Sequence, residues 1–258
     1  MRNTTSANRR RSGAPALALC LAAALCHAGP ALKEPTNMNA APAASETLSL
    51  RQQSVVPVAA FAASGDIARL NTALGQGLDA GLTVNDAKEI LVQVYAYAGF
   101  PRSLNALGEL MKVLEARRQR GIQDKEGPLP SRPIPKGDAL LSAGTFNQTK
   151  LAGAPVKGAL FDFAPAIDEY LKTHLFGDVF ERDNLDWQSR ELATVGMLSV
   201  LAGAESQLQS HMRIAMNVGL APAQLEQLAQ VLADRVDAAP ARRAREALAR
   251  QLAARPGS

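Results

Sequence analysis

The sequence predicts an all-α protein, and three observations support this fold class. Hydrophobic residues make up 47% of the chain and aromatic residues only 4%, with Ala, Leu and Val dominating. This composition suits close-packed helices better than sheets, which favour β-branched and aromatic side chains. Apolar positions recur at helical spacing, no alternating strand of convincing length is found, and one helical segment recurs later in the chain.

Residues 1–28 are predicted to form a secretory signal peptide. A basic stretch at 8–11 precedes an apolar run from Ala14 to Cys26, which is shorter than the roughly 20 residues that span a bilayer. We therefore expect a periplasmic or secreted protein that has no membrane contact after cleavage; the adjacent arginines leave the Sec and twin-arginine routes open. The alternative is a non-native extension, with translation starting at Met38.

The leader also explains the basic charge and holds both cysteines. Removing its four arginines from the 28 basic residues leaves 24, which equals the 24 acidic residues. A neutral body does not attract phosphate backbones, so we expect no nucleic-acid partner. Without Cys20 and Cys26 the mature chain has no thiolate or disulfide, and the two histidines left, His174 and His211, form no metal-binding motif. We expect neither a metal nor another cofactor.

The mature chain divides into two helical blocks. A flexible tether covers 29–46, and the first block covers 47–120. Gly65 and Gly81 are placed to end helices, and the spacing of Thr83 and Asp86 predicts a capping box. The predicted helices run from Leu50 to the break at Gly65, over 67–80, from Thr83 to Tyr97, and over 103–118.

A connector rich in Pro and Gly covers 121–158. Loops of this length serve as lids, oligomer arms or plain linkers, and all three interpretations stay open. The second block covers 159–236, and an Arg- and Ala-rich tail at 237–258 is predicted to form an amphipathic helix that could dock on another subunit. The second block's predicted helices cover 164–176, 187–202, 205–218 and 221–235.

The two blocks contain related sequences. Leu70–Leu82 aligns without a gap to Leu208–Leu220, and both segments start with Leu and end with Gly-Leu. The aligned repeats nevertheless differ in their reactive side chains. Ala73 of the first repeat aligns with His211 of the second, and Gln52 aligns with Glu191 to within about one residue. The first repeat instead carries Glu89 and a Tyr-Ala-Tyr-Ala-Gly-Phe-Pro turn. Each repeat is therefore predicted to hold half of one site.

His211 and Glu191 are the candidate acid–base pair. An antiparallel hairpin that closes near Gly203 would bring Glu191 beside His211, and a carboxylate next to imidazole suits it for proton transfer near neutral pH. The alternatives are a structural histidine within a helix and an acidic residue that stabilises a helix N-terminus after Asp186.

Four other side chains could border the site. Arg190 could pair with an anionic substrate or lie solvated at the surface. Tyr95 and Tyr97 are two residues apart, so they point to different faces of a helix and at most one lines a site; core packing is their alternative role. His174 could lie near the pocket or cap a helix C-terminus.

Several segments resemble the carboxymuconolactone decarboxylase family, whose wider group includes alkylhydroperoxidase D-like proteins. The resemblance covers about 47–120 and 160–235. Its most specific elements are Arg190-Glu191-Leu192, the stretch from His211 to Gly219-Leu220, and Tyr97-Ala98-Gly99-Phe100-Pro101. The resemblance implies an alkylhydroperoxidase D-like helical fold and a ring-like homo-oligomer.

The resemblance also implies a reaction class. Thiol peroxidases of this group carry a Cys-x-x-Cys pair shortly before the histidine that matches His211, whereas the stretch Gly203–Gln207 has no sulfur, which excludes that chemistry. The decarboxylase branch needs no cofactor and acts on a small carboxylated lactone.

If the chain follows the decarboxylase branch, the resemblance implies that His211, oriented by Glu191, donates the proton. Arg190 would then bind a carboxylate of the substrate. Glu89, Tyr97 and His174 would complete a substrate pocket. Because such decarboxylation is expected inside the cell and this chain carries an export signal, another small acid or lactone stays possible. The alternative is a non-catalytic exported binding protein on the same scaffold.

Overall fold

The computed structural model describes residues 47–254. Every regular element in that range is a helix, so the all-α prediction is confirmed. The predicted leader and tether lie outside the described residues. No helix within 47–254 is long and apolar enough to cross a membrane.

The first block contains helices that begin and end close to the predicted positions, except that the one helix predicted from Thr83 to Tyr97 is divided in two by a turn at Val94. Gly65 ends the first helix in a left-handed conformation with φ of 78°, and Thr83 and Asp86 form the predicted capping box. Pro101 lies in the first turn of the last helix of the block, where a missing N–H costs nothing. The helices are α1 Leu50–Ser64, α2 Ile67–Asp79, α3 Val84–Gln93, α4 Tyr95–Ala98 and α5 Phe100–Gln119.

The connector contains a helix that the sequence analysis did not predict. This helix, α6, spans Asp138–Ala152. Its buried positions include the polar Asn147 and Gln148, and these blur the apolar periodicity that would mark a helix. The rest of the connector follows the prediction, since no helix is found from Gln123 to Gly137.

The second block begins with a change of helix type. The helix predicted over 164–176 is instead the short α8 followed by a π-helix, a rare element that is frequent at functional sites. The later helices match the predictions, and Asp186 caps α9 by accepting a hydrogen bond from the Ser189 N–H at 2.7 Å. The elements are α7 Ala159–Phe163, α8 Pro165–Tyr170, the π-helix Leu171–Val179, α9 Trp187–Val200, α10 Glu205–Asn217, α11 Pro222–Arg235 and α12 Ala238–Ala253.

The sequence repeat is also a structural repeat. α2 and α10 are both followed by a glycine of positive φ, 99° at Gly81 and 98° at Gly219. In each case the next N–H, that of Leu82 or Leu220, donates to the carbonyl five residues earlier, at 2.9 Å and 3.0 Å respectively. Only glycine adopts this conformation without strain, which is why both segments end in Gly-Leu.

The equivalent helices α1 and α9 pack against each other in the core. Residues 54–63 of α1 and 189–199 of α9 are all buried. At the contact, a Cβ on Gly196 would lie 2.9 Å from the Val56 carbonyl oxygen, so the two backbones approach closely because this residue is glycine. α9 therefore has no solvent-facing side over most of its length, and polar groups on it must find partners inside the protein.

Candidate active site

Glu191 and His211 lie together as their spacing predicts. α9 and α10 form a hairpin around Gly203, and His211 Nδ1 lies 2.8 Å from Glu191 Oε2. The Glu191 side chain is 0% exposed and that of His211 is 10% exposed. A carboxylate can only accept hydrogen bonds, so it places the proton on Nδ1 and leaves Nε2 to exchange a proton with a substrate.

The second oxygen of Glu191 is unusual. Glu191 Oε1 is buried and has no hydrogen-bond partner within residues 47–254. Burying a polar atom without a partner costs about 1–3 kcal/mol, so such atoms are rare and call for an explanation in function or strain. The pair therefore has one carboxylate oxygen left without a hydrogen-bond donor among the described residues.

Tyr97 brings the first repeat to this pair. Its ring meets the His211 ring edge-on, with centroids 5.7 Å apart, and its hydroxyl lies 3.3 Å from Thr194 Oγ1. Burial, together with the charge of the nearby Glu191, raises the pKa of Tyr97 above its ordinary value, so the group stays a neutral phenol. Tyr95 stacks on Phe100 at 4.7 Å, and both tyrosines pack against the apolar cluster around Phe176.

An apolar cluster separate from the main core borders the pair. Ile214 lies one turn after His211 on α10 and belongs to this cluster, whereas Met212 belongs to the main core. His211 therefore lies where the two clusters meet, in surroundings that strengthen electrostatic interactions. The cluster consists of Leu151, Leu175, Phe176, Val179, Phe180 and Ile214, with Tyr97 packed against it.

Arg190 and Glu89, which the sequence analysis assigned to substrate binding, form an ion pair with each other in the structure. The Arg190 side chain is 0% exposed, and its Nη2 donates to Glu89 Oε2 at 3.1 Å and to the Arg182 carbonyl at 2.8 Å. Glu89 also pairs with Arg182, so one buried carboxylate is shared by two guanidinium groups, and Arg190 Nε is buried without a partner among the described residues. The sequence could not show this, because it did not reveal that α9 is buried on all sides.

The sequence analysis missed two groups that hold Glu89. Arg182 donates to both of its carboxylate oxygens, at distances of 2.6 to 3.0 Å, and Asn184 Nδ2 donates at 3.1 Å. Both lie between the π-helix and α9, where no periodic pattern marks a side chain's direction.

Gln93 and Thr194 were also missed, although a signal existed. Gln93 Nε2 donates to Thr194 Oγ1 at 2.8 Å and to the Arg190 carbonyl at 3.0 Å. Gln93 is four residues before Tyr97, and Thr194 is three residues after Glu191. Helical spacing therefore places Gln93 on the same helix face as Tyr97, and Thr194 on the same helix face as Glu191.

His174 is not joined to the pair by any hydrogen bond within the described range. Its side chain is 57% exposed, and Nδ1 lies 3.1 Å from Asp178 Oδ2 on the same π-helix. The structure thus gives no support to the prediction that His174 binds substrate. Across residues 47–254, no group of three or more His, Cys, Asp or Glu could hold a metal ion.

Comparison with known proteins agrees with the internal repeat. The sequence model of the carboxymuconolactone decarboxylase family matches residues 21–111 and 165–250, which together are more than half of the chain. The first match begins inside the predicted leader and contains Glu89 and Tyr97, and the second contains Glu191 and His211. A search of curated proteins finds no match. The chain therefore belongs to the carboxymuconolactone decarboxylase family.

Proposed function

We propose that the protein is a cofactor-free carboxy-lyase acting on a small carboxylated lactone or a related acid. The observation that carries the proposal is the buried contact of 2.8 Å between Glu191 Oε2 and His211 Nδ1. A carboxylate behind an imidazole fixes its tautomer and leaves Nε2 as the acid–base group. Family membership supports decarboxylation as the reaction class, although a fold alone does not determine chemistry.

The proposed step begins with protonated His211 and a substrate carboxylate. The bond between the lactone ring and its carboxylate breaks, and the carboxylate leaves as CO₂. The electron pair moves through the ring double bond to the lactone carbonyl, which becomes an enolate. His211 Nε2 then gives its proton to the ring carbon beside the carbonyl, so the double bond ends in a shifted position and the imidazole becomes neutral.

The surrounding residues support this proton transfer. Glu191 stabilises the imidazolium before the transfer, and its burial keeps water from weakening that interaction. Tyr97 covers one edge of the imidazole and, as a neutral phenol, can donate a hydrogen bond to a developing enolate oxygen. Arg190 has no part in this proposal, because its side chain is 0% exposed and its Nη2 pairs with Glu89.

Export and assembly stay predictions. The leader falls outside the described residues, and the structure describes a single chain. Exposed apolar side chains on α5, namely Phe100, Leu104 and Met111, support an assembly of several subunits, since contiguous apolar surface often marks an interface.

Release of CO₂ from 4-carboxymuconolactone tests the activity. We would compare the full chain with its His211→Gln and Glu191→Gln variants, and use His174→Gln as the matched histidine control. General acid–base groups contribute about 10²- to 10⁴-fold to a reaction rate. We therefore expect His211→Gln to slow CO₂ release by about 100-fold or more. His174→Gln should leave the rate unchanged. An inactive wild type, or full activity in His211→Gln, would overturn the proposal for this substrate.

A further inference from the structure

A chain of hydrogen bonds leads from Arg190 to the hydroxyl of Tyr97. It passes through Gln93 and Thr194, which are both fully buried. In the proposed reaction Tyr97 donates a hydrogen bond to the enolate oxygen, so the direction of its hydroxyl proton affects the rate. The donors and acceptors along the chain determine that direction.

Arg190 fixes the orientation of the Gln93 amide. Arg190 Nη1 lies 3.4 Å from Gln93 Oε1, and a guanidinium group can only donate. The other end of the amide lies 3.0 Å from the Arg190 carbonyl oxygen, which can only accept, so this end is the nitrogen. Gln93 Nε2 therefore donates one hydrogen to that carbonyl and the other to Thr194 Oγ1, at 2.8 Å.

The Arg190 carbonyl has no place for a third donor. It lies inside α9 and accepts the N–H of Thr194 within the helix, and it also accepts from Gln93 Nε2. These two bonds use both lone pairs of the carbonyl oxygen. The Thr194 hydroxyl lies 3.0 Å from this carbonyl and 3.3 Å from Tyr97 Oη, so Tyr97 is the acceptor left for its proton.

Tyr97 is the last member of the chain. Its oxygen accepts from Thr194 and has no other hydrogen-bond partner within residues 47–254, so its own proton is available to a ligand beside the His211 ring. Hydrogen bonds in a chain polarise one another, which makes a hydroxyl that accepts a better donor. On the basis of the proposed function, we propose that Gln93 and Thr194 are positioning residues that keep the Tyr97 hydroxyl directed as a donor to the substrate oxygen where negative charge develops.

Raman spectroscopy of the full chain tests the direction of this hydroxyl without a substrate. The intensity ratio of the tyrosine ring doublet is high when the phenol oxygen accepts a hydrogen bond and low when the hydroxyl only donates one. Subtracting the spectrum of the same protein with Tyr97→Phe isolates Tyr97 from Tyr95 and Tyr170. We expect a higher ratio in the wild type than in Gln93→Glu.

The reason lies in the chemistry of the new carboxylate, which can only accept hydrogen bonds. It no longer donates to Thr194 or to the Arg190 carbonyl, so the Thr194 proton turns to one of these two acceptors. Thr194 Oγ1 then accepts from Tyr97, and the phenol becomes a donor inside the protein. Equal ratios in the wild type and in Gln93→Glu would overturn the proposal.

The kinetics of CO₂ release test the effect on the reaction. Thr194→Val keeps the shape of the side chain but removes the hydroxyl, so we expect kcat to fall about tenfold, with little change in KM. Thr194→Ser restores the hydroxyl and should recover most of this loss. Ser199→Ala is the matched control, because Ser199 is also buried on α9 but donates to the Val195 carbonyl, and it should keep the wild-type kcat.

The two measurements separate this proposal from the proposed function. A wild type that releases no CO₂ contradicts the proposed function, and the Raman comparison still decides whether Gln93 and Thr194 direct the hydroxyl. In an active protein, equal kcat values for Thr194→Val and Ser199→Ala would overturn the positioning role. Circular dichroism melting checks that each variant folds. If Gln93→Glu does not fold, the wild-type ratio decides alone, since a low value shows that Tyr97 donates to Thr194.

Discussion

Glu89 of the first repeat and Arg190 of the second form an ion pair inside the protein, with 3.1 Å between Oε2 and Nη2. Arg190 directly precedes Glu191, which contacts His211. The ion pair joins α3 to α9 at the point where α9 presents the candidate acid–base group. The first repeat therefore contributes to the site by holding α9 in place and by packing Tyr97 against the imidazole.

Breaking this ion pair should strongly destabilise the fold. Arg190→Met leaves the Glu89 carboxylate buried without one of its cations, and removal of one partner from a buried pair costs about 3–5 kcal/mol. The free energy of unfolding from urea denaturation measures this effect. Arg118→Met, in an exposed ion pair with Glu115, is the matched control and should change little; equal losses in both variants would contradict the prediction.

The same carboxylate predicts a dependence of stability on acid. Burial by itself raises the pKa of Glu89, but the hydrogen bond from Arg182 and the charge of Arg190 outweigh it, so the pKa lies below its ordinary value. A carboxyl of this kind stabilises the fold above its unfolded pKa of about 4.3, and the contribution fades as the pH falls through the folded value.

Comparison with Glu89→Gln isolates this contribution. We expect the difference in unfolding free energy between wild type and Glu89→Gln to be constant from about pH 6 to about pH 8 and to shrink below about pH 4.5. Urea denaturation at several pH values gives this difference. A difference that stays constant down to about pH 3 would show that the pKa of Glu89 is not lowered by folding.

Gly144 should be required for the packing of α6. A Cβ at this position would lie 1.7 Å from the Lys172 carbonyl oxygen of the π-helix, so Gly144→Ala forces two backbones apart. Overpacking of this kind costs about 1–3 kcal/mol. Gly108→Ala is the control, because nothing lies within 4 Å of a Cβ there and alanine in a helix gains about 0.5–1 kcal/mol. Thermal unfolding of both variants should thus shift in opposite directions, and a stabilised Gly144→Ala would contradict the structure.

Tyr97 should make the fold sensitive to alkali. Its pKa is raised by burial and by the charge of Glu191, so the folded state keeps the proton that the unfolded state loses above about pH 10. The stabilisation is complete below that pH and is lost as the pH rises above it. Wild type should lose more stability than Tyr97→Phe between about pH 9 and about pH 11, and equal losses in denaturation curves would contradict the raised pKa.

Much of the fold could be predicted because local signals agreed with tertiary structure. The glycine after α1, the capping box of α3 and the turns after α2 and α10 depend on few neighbouring residues, and the structure confirms all of them. α6 could not be predicted, since its buried Asn147 and Gln148 disrupt the apolar pattern. The π-helix was taken for an ordinary helix, because the two types share similar sequence patterns over one or two turns.

The candidate site was predictable only where two helices form a hairpin. The pairing of Glu191 with His211 follows from helix lengths and one turn at Gly203, and the structure confirms it. The pairing of Arg190 with Glu89 joins residues about 100 positions apart, and no local signal reports such a contact. The sequence analysis therefore assigned Arg190 to a substrate carboxylate, whereas in the structure Arg190 pairs with Glu89.

The central claim is that Glu191 and His211 act as one acid–base unit, and a double-mutant cycle on CO₂ release tests it most directly. Single-turnover rates would be measured for wild type, His211→Gln, Glu191→Gln and the double variant. Residues that act as a unit are strongly non-additive, so we predict that the double variant is within about threefold of His211→Gln alone. Two losses that multiply in the double variant would show that the residues act independently and would contradict the account.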